Sequence, residues 1–429
     1  MHHLIMKNIG PISYCNIDID TFTVFTGTQA SGKSTIAKSI FFFRTVKDDM
    51  LEILLRRGSL YTSKQSLYKA IHATLRYKFL QIFGSSRAMS SELFLGYNYN
   101  EDTYINITLR LKTGDDYISP NYVYIDFSPN IRKFIDKYTN YSYEQLTEKK
   151  KITQELTILF SDEYETIFIP AGRSLITLLT TQLNYIFTIM DDEQRYSIDF
   201  CTQKYIERIL KIRSLFEEGI AGYFDKKKTT SLTSNNKALI KKCIALVDTI
   251  LKGKYQYVSG EERLIIDDNK YVKINFTSSG QQESVWIFNI LMYQLINNTK
   301  TFIILEEPEA HLYPNAQKEI TELLSMFESA GNSLLITTHS PYVLGSINNL
   351  LFAHSIAQLS QDNNKKVENL IDVDKSLSHC ASYFVNHGKI EKCLDKETGL
   401  INNETIDGAS EEINELFDRL IEIESGDIE

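Results

Sequence analysis

The chain has 429 residues, of which 43% are hydrophobic and 24% are charged, as is typical of a folded globular protein. Its formal net charge of −9 argues against general attraction to nucleic acids, because such binding depends on neutralising phosphates with basic side chains. The five cysteines form no Cys-x-x-Cys pair, and no stretch approaches about 18 apolar residues, so we expect a cytoplasmic protein that is neither disulfide-bonded nor membrane-spanning.

The N-terminal part of the sequence predicts strands that lead into a helix. Strands are predicted at 4–7, 16–19 and 22–26, followed by a glycine-rich turn and apolar residues at helical spacing. Residues 47–83 are mostly helical in pattern, and alternating residues up to 127 predict an antiparallel β lobe.

Two helical stretches then interrupt the strands. Residues 129–160 and 174–252 have helical patterns and flank a short predicted strand at 166–169. Strands return after residue 253, and three strand-then-helix units follow to about residue 360. The sequence ends in a predicted amphipathic helix that begins at Ser410. Its apolar positions are Ile413, Leu416, Phe417, Leu420 and Ile421.

These elements predict an α/β fold, with a mixed sheet beside an antiparallel β lobe, helical insertions and a C-terminal α/β tail. We divide the chain into four predicted parts. Residues 1–128 and 253–360 form the two parts of the central domain, residues 129–252 form a helical insertion, and residues 361–429 form a tail that contacts a partner or another subunit.

A phosphate-binding motif lies between the predicted strand at 22–26 and the helix that follows it. Residues 27–34 fit the pattern G-x-x-x-x-G-K-[ST], called a P-loop. In this motif the glycine-rich backbone surrounds the phosphates, Lys33 reaches their β- and γ-oxygens, and Ser34 binds Mg²⁺. We therefore predict that ATP and Mg²⁺ bind here. The predicted contacts are Gly27, Thr28, Gln29, Ala30, Ser31, Gly32, Lys33, Ser34 and Thr35.

A second motif places two carboxylates at the end of an apolar strand, residues 302–305. We predict that Glu306 holds Mg²⁺, directly or through water, and that Glu307 orients and polarises the attacking water. The alternative is a buried strand followed by a solvated acidic turn, which is less favoured beside a P-loop.

Two further motifs complete the predicted site. His339 ends another buried strand, where α/β proteins collect catalytic groups, so we predict that it contacts the γ-phosphate. Residues 278–282 open a helix and predict a second anion site, which a nucleotide in the P-loop of the same chain cannot also occupy. Helix capping alone is the alternative. The predicted contacts here are Ser278, Ser279, Gly280, Gln281 and Gln282.

The order of these motifs resembles the ABC ATPase superfamily, and most closely its RecF/SMC-like and OLD families. The resemblance covers about residues 1–45, 166–175 and 255–360 and implies an ABC ATPase head. In such a head, residues 278–282 are the signature motif and Glu306 and Glu307 belong to Walker B. The other segments that carry the resemblance are Asn8-Ile9-Gly10-Pro11-Ile12, Ile169-Pro170-Ala171-Gly172-Arg173, Glu307-Pro308-Glu309-Ala310-His311-Leu312-Tyr313-Pro314 and Thr338-His339-Ser340-Pro341-Tyr342.

The resemblance also implies how the protein assembles and acts. In this superfamily two heads sandwich two ATP molecules, and the signature of each head completes the site of the other, which implies a homodimer or a higher homo-oligomer. Many stand-alone ATPases of this kind belong to antiphage defence operons, including the ATPase subunits of the PARIS and Septu systems. This implies a separately encoded effector, a nuclease or a toxin, as the partner.

Three departures from the family pattern modify these expectations. Glu306 stands where Asp is commoner, so we expect slow ATP hydrolysis. No glutamine is assignable to the loop that senses Mg²⁺. We assign Arg173 to the nucleotide site in its place, and a core or surface ion pair is the alternative. The residues after His339 are too few to hold the TOPRIM nuclease of OLD proteins, so we expect no nuclease in this chain.

Two basic runs leave a second function open. Lys149–Lys151 and Lys226–Lys228 lie in the helical insertions, where they form either a solvated face or a contact with DNA or a partner. The alternative function is a RecF-like DNA repair or clamp ATPase that binds duplex DNA.

Overall fold

A computed structural model of the chain describes residues 2–56, 64–113, 118–139, 149–178, 198–227, 232–267, 270–402, 414 and 416–418. Its strands are numbered in chain order. They are β1 (His2–Ile9), β2 (Ile12–Ile19), β3 (Phe22–Gly27), β4 (Phe94–Asn98), β5 (Tyr104–Thr113), β6 (Ile118–Phe127), β7 (Glu165–Ile169), β8 (Lys254–Val258), β9 (Glu261–Asp267), β10 (Lys270–Lys273), β11 (Thr301–Glu306), β12 (Ser333–Thr337), β13 (Ala381–Asn386) and β14 (Lys389–Lys392).

The α-helices of the described residues lie between these strands along the chain. They are α1 (Lys33–Arg44), α2 (Val46–Arg56), α3 (Lys64–Phe83), α4 (Pro129–Thr139), α5 (Lys149–Leu159), α6 (Phe200–Ile212), α7 (Gly219–Lys226), α8 (Ser234–Leu251), α9 (Ser279–Asn297), α10 (Pro314–Ser329), α11 (Pro341–Leu359) and α12 (Gln361–Glu368). None of the helices in the described ranges is both long enough and apolar enough to span a bilayer.

The strands form three sheets. The largest has the order β14-β13-β3-β12-β11-β7, in which β14 alone runs antiparallel to its neighbour. A second sheet, β2-β1-β4-β5-β6, and a third, β10-β9-β8, are antiparallel. The predicted fold class, a mixed α/β core with an antiparallel lobe and helical insertions, is confirmed.

The parallel sheet is covered on both faces by separate hydrophobic cores. Because side chains alternate along a strand, Ile304 of β11 lies in one core and Leu305 lies in the other. Helix α1 packs Ile36 into the first core, whereas α9 packs Trp286 into the second. The helix after the P-loop and the helix that begins with residues 278–282 therefore lie on opposite faces of the sheet.

The sequence analysis assigned residues 361–429 to a C-terminal tail that contacts a partner or another subunit, and it did not place any of them in the central sheet. Strand β13 instead joins the parallel sheet beside β3, and Val385 lies opposite Gly27. Pairing with β13 gives the edge of β3 a hydrogen-bonded neighbour, which explains why this late segment folds into the core. The amphipathic helix predicted from Ser410 lies mostly outside the described residues.

The turn after β13 packs against the turn that joins β1 to β2. Gly388 has a φ of 75°, and a Cβ at this position would lie 2.2 Å from the carbonyl oxygen of Pro11. The backbone N–H of Ser13 donates to the carbonyl of Gly388 at 3.0 Å. The hydroxyl of Thr28, in the P-loop, lies 3.4 Å from Oδ1 of Asn386. The C-terminal strands therefore hold the N-terminal hairpin beside the P-loop.

This close approach predicts a difference between two glycines that share the left-handed conformation. Gly388→Ala should lower the free energy of unfolding by about 2 kcal/mol more than Gly331→Ala, since overpacking against rigid backbone typically costs 1–3 kcal/mol. Gly331 has a φ of 87° and has open space where its Cβ would be, so its variant carries the backbone strain alone. Denaturant unfolding without nucleotide measures both. Equal losses would show that the contact with Pro11 is not tight.

Candidate active site

The P-loop is shaped by backbone conformations that favour glycine. Gly27 and Gly32 have φ values of 134° and 111°, and Ala30 also has a positive φ of 58°. A Cβ on Gly27 would lie 2.0 Å from the carbonyl oxygen of Val385, and one on Gly32 would lie 2.4 Å from Cδ1 of Ile12. The close approach of the β13 backbone therefore requires glycine at position 27, whereas at position 32 the positive φ is what favours glycine, since the end of the Ile12 side chain can move.

Lys33 closes the P-loop on itself. Its ammonium donates hydrogen bonds to the carbonyl oxygens of Gly27 at 3.0 Å and Thr28 at 2.7 Å. Burial lowers the pKa of Lys33 to about 8, and the nearby carboxylates of Glu307 and Glu309 partly oppose this shift. A phosphate that enters the loop can replace the two carbonyls as partner of this ammonium.

The two predicted carboxylates end β11 but lie in different environments. Glu306 is buried, and its Oε2 accepts a hydrogen bond from the N–H of Ala171 at 3.2 Å. Its Oε1 is buried and has no hydrogen-bond partner among the described residues. Glu307 is partly exposed, and its backbone φ is 44°. Its backbone N–H donates to the carbonyl of Thr337 at 2.9 Å, and this hydrogen bond holds the backbone in that conformation. One carboxylate oxygen is thus available for a cation, and a second carboxylate faces solvent.

His339 lies beside Glu307 at the end of the neighbouring strand, β12. Its Nε2 is 3.7 Å from Oε1 of Glu307. The loop that carries His339 is held by Glu309, whose Oε1 accepts from the hydroxyl of Thr338 at 2.6 Å and from the N–H of His339 at 2.9 Å. Burial raises the pKa of Glu309, while these two hydrogen bonds lower it. The sequence analysis quoted Glu309 within a motif but assigned it no role.

Arg173 is fully buried and donates to backbone carbonyls from three segments. Its guanidinium contacts the carbonyl oxygens of Pro170 and Glu306, both at 2.6 Å, Glu307 at 2.8 Å and Glu283 at 2.9 Å. It also forms an ion pair with the Glu283 carboxylate at 3.3 Å. This geometry favours the core ion pair over direct contact with a nucleotide, and makes Arg173 a positioning residue for β11.

Glu283 connects this arrangement to α9 and was not predicted from the sequence. Its carboxylate accepts from the backbone N–H groups of Arg173 and Ser174, both at 2.9 Å. The sequence offered one indication of it. Arg173 was a candidate for a core ion pair, and a buried charge requires a partner of opposite charge. Arg173 and Glu283 therefore join the start of α9 to the carboxylate strand.

Residues 278–282 form the start of α9 and show the capping geometry that the sequence left open. Gln281 N–H donates to Oγ of Ser278 at 3.4 Å, and Oε1 of Gln281 accepts from the N–H of Ser278 at 3.0 Å. Gly280 is needed for close packing, since a Cβ there would lie 2.6 Å from the carbonyl oxygen of His311. Ser278 and Ser279 are exposed. Capping does not remove the exposed helix N-terminus, whose first N–H groups have no acceptor within the helix.

The structure thus brings together some of the predicted residues and separates others. The C-terminal ends of β3, β11 and β12 meet at one edge of the sheet, which collects the P-loop, the two carboxylates and His339. Ser34 and Thr35 lie in the first turn of α1 at the same edge, and Ser34 is exposed. Residues 278–282 begin a helix on the opposite face. The assigned roles remain predictions.

Comparison with known proteins supports an ATPase. The sequence family described as AAA ATPase domain matches residues 1–344. No curated protein matches the chain. Three solved structures are similar at low identity: the SMC head domain from Thermotoga maritima, the Smc head domain with an extended coiled coil bound to the C-terminal domain of ScpA from Pyrococcus furiosus, and the SmcHead bound to the C-winged helix domain of ScpA.

The three structures cover most of both chains but superpose loosely. The Thermotoga structure is 13% identical, with a TM-score of 0.37 and coverage of 91% of this chain and 97% of that one. The Pyrococcus structure is 15% identical, with a TM-score of 0.38 and coverage of 96% and 100%. The third is 13% identical, with a TM-score of 0.39 and coverage of 91% and 96%. The family match rests on the sequence of residues 1–344.

Loss of the buried guanidinium should destabilise the protein strongly. Arg173→Met should lower the free energy of unfolding by about 3–5 kcal/mol, because it leaves the Glu283 carboxylate buried without its ion partner. The control is Arg132→Met, which breaks a half-exposed pair with Asp126 and should cost less than about 1 kcal/mol. Adding Glu283→Gln to Arg173→Met should recover part of the loss. If the two single variants unfold alike, Arg173 does not hold the site together.

The lowered pKa of Lys33 predicts how ATP affinity depends on pH. Bound phosphates raise the pKa of an adjacent ammonium, so affinity should be full below pH 8 and fall as the pH rises through about 8. The fall should approach tenfold per pH unit until the pKa of the complex is reached. Titration calorimetry with a non-hydrolysable ATP analogue between about pH 7 and 9.5 measures this, since the phosphates are already ionised there. Constant affinity over this range would contradict it.

Proposed function

Because this chain belongs to the AAA ATPase domain family, we propose that it binds ATP with Mg²⁺ at residues 27–35 and hydrolyses it slowly. The observation that supports this most is the meeting of Lys33, Glu306, Glu307 and His339 at one edge of the parallel sheet. Ligands of α/β proteins commonly bind at this edge, beyond the carboxyl ends of the strands.

The residues present fit a magnesium ion. The unpartnered Oε1 of Glu306 and the exposed hydroxyl of Ser34 are oxygen donors, which Mg²⁺ prefers. The described residues contain no group of three or more His, Cys, Asp or Glu side chains that could hold a metal without further ligands. Mg²⁺ usually binds through one or two protein groups, substrate phosphates and water, and Glu306 and Ser34 would supply the protein groups here. When bound, Mg²⁺ neutralises charge on the β- and γ-phosphates.

The chain's own groups then have distinct roles in hydrolysis. Lys33 exchanges its two loop carbonyls for the β- and γ-phosphate oxygens. Glu307 orients and polarises the attacking water, and its held backbone conformation fixes the direction of its side chain. The Nε2 of His339 lies 3.7 Å from Oε1 of Glu307, and in this proposal His339 contacts the γ-phosphate. We expect hydrolysis to be slow because Glu306, which stands where Asp is commoner, would hold the ion at a longer distance or through water.

The complete site requires a second subunit in this proposal. Helices α1 and α9 lie on opposite faces of the sheet, which supports a site in which one ATP molecule contacts the P-loop of one chain and residues 278–282 of another. The N-terminus of α9 is exposed, and its backbone N–H groups can bind a phosphate of a nucleotide held by another chain. We therefore propose that ATP joins two copies, each supplying one half of every site, in a dimer or a larger homo-oligomer.

The output of this assembly is movement, not chemistry on another substrate. We propose that the ATP-dependent dimer holds, and on a trigger releases, a separately encoded nuclease or toxin, with a role in antiphage defence. The support is the family resemblance and the Arg173–Glu283 connection, which links the start of α9 to the carboxylate strand. The alternative, a RecF-like clamp on duplex DNA, is supported by the exposed Lys149–Lys151 run at the start of α5.

Two substitutions separate ATP binding from hydrolysis. Lys33→Ala should abolish ATP binding, whereas Glu307→Gln should bind ATP and hydrolyse it at least about a hundredfold more slowly, as expected when a general base is lost. Phosphate release and sizing with light scattering measure both. ATP should trap Glu307→Gln as a dimer or larger assembly, while Lys33→Ala stays unassembled. Normal hydrolysis by Glu307→Gln would remove it from the catalytic role.

A further inference from the structure

Helix α11 carries a mostly apolar stripe on its exposed side, in which Asn349 is the polar member. The stripe consists of Tyr342, Gly345, Asn349, Phe352, Ile356 and Leu359, spaced alternately by three and four residues. This is the spacing by which one helix packs against another. Tyr342, Phe352 and Leu359 are 55%, 54% and 75% exposed, so the described residues leave the stripe uncovered.

The rest of α11 explains why the stripe is unusual. The opposite side of the helix is buried in the core through residues such as Val343, Ile347 and Leu350. The helix contains no Asp, Glu, Lys or Arg. A surface helix normally presents charged residues to solvent on the side away from the core. The exposed side of α11 also carries the uncharged polar residues Asn349, Ser355 and Gln358. Its large exposed apolar side chains, without a charge among them, are nevertheless typical of a surface that another segment covers.

The last long described segment, residues 270–402, ends beside this stripe. Ile401 is held by the side chain of Asn348: Nδ2 donates to the carbonyl of Ile401 at 2.9 Å, and Oδ1 accepts its N–H at 2.8 Å. Asn348 lies four residues before Phe352 and three after Gly345, so it borders the stripe on the helix surface. The described chain therefore lies beside α11 at Ile401, two residues before residue 403.

The C-terminal segment has the composition to cover the stripe. Its predicted helix places Ile413, Leu416, Phe417, Leu420 and Ile421 on one side. Leu416 and Phe417 are 61% and 62% exposed, so these two apolar side chains are also uncovered. Residues 403–429 hold ten acidic side chains and one basic one, Arg419, which equals the whole formal net charge of −9. Because α11 contains no charged residue, the helix itself presents no like charge to this acidic segment.

The connection is also long enough. Residues 403–413 can extend over roughly 35 Å, whereas the stripe from Gly345 to Leu359 is about 21 Å long at 1.5 Å per residue. A short connection within one chain gives the attached segment an effective concentration in the millimolar range. Its own C-terminal segment therefore competes better for the stripe than a free partner does.

We propose that the C-terminal segment, residues 403–429, docks its apolar side onto the α11 stripe of the same chain. The docked segment covers a surface that begins at Tyr342, three residues after His339. A second copy or another protein reaches this surface only by displacing the segment.

Disulfide crosslinking in the full-length protein tests this docking. One cysteine replaces Leu416, and a second replaces Gly345, Phe352 or Leu359 in separate variants that span the stripe. The native cysteines, Cys15, Cys201, Cys243, Cys380 and Cys393, are all buried and unpaired, which keeps the background low. At low protein concentration without ATP, we expect at least one pair to crosslink within the chain about tenfold faster than a control pair.

The control pair joins Leu416→Cys to Leu111→Cys, an exposed position on β5 of the antiparallel lobe. Adding Phe352→Asp to the Gly345→Cys and Leu416→Cys pair should slow its crosslinking to the control rate, because the charge opposes apolar docking. Non-reducing electrophoresis and mass spectrometry distinguish bonds within one chain from bonds between chains. Bonds between chains would assign the stripe to a second copy, and rates equal to the control for all three pairs would overturn the docking.

Discussion

The buried guanidinium of Arg173 is the contact on which the candidate site depends. A charge taken out of water is costly unless every donor finds an acceptor, and here the acceptors are backbone carbonyls at the ends of β7 and β11 together with Glu283 of α9. Because these partners come from three segments, none can shift without leaving a buried polar group unpaired. The start of α9 and the carboxylates of β11 are thereby coupled in position within one subunit.

A second constraint comes from the C-terminal strands. The AAA ATPase match ends at residue 344, yet the strand that pairs with β3 is β13, residues 381–386. Gly27, the first P-loop residue, lies so close to Val385 that no side chain fits between them. The shape of the phosphate-binding loop thus depends on a segment far along the chain. The same segment leads back to α11, the helix that follows His339.

Local sequence patterns predicted much of this structure because these features depend on interactions between residues that are close in the sequence. The P-loop, the apolar strands that end in Glu306 and in His339, and the capping alternative for Ser278 all depend on residues near in sequence. The pairing of β13 with β3 and the contacts of Arg173 with Glu283 depend on residues more than a hundred positions apart, for which a single sequence carries no direct signal. A charged residue beside a strand end indicates an ion pair, but it does not identify the partner.

The central claim is that each ATP site is shared between two chains, and mixing two inactive variants tests it most directly. Lys33→Ala disables its own P-loop, and Ser279→Arg places a bulky charge at the exposed start of α9, so each variant alone should lack activity. A mixed dimer would contain one site with both halves intact. If sites act independently, an equal mixture should recover about a quarter of the wild-type ATPase rate under this two-fold arrangement. An inactive mixture that nevertheless forms mixed dimers, or full activity of Ser279→Arg alone, would contradict the shared site.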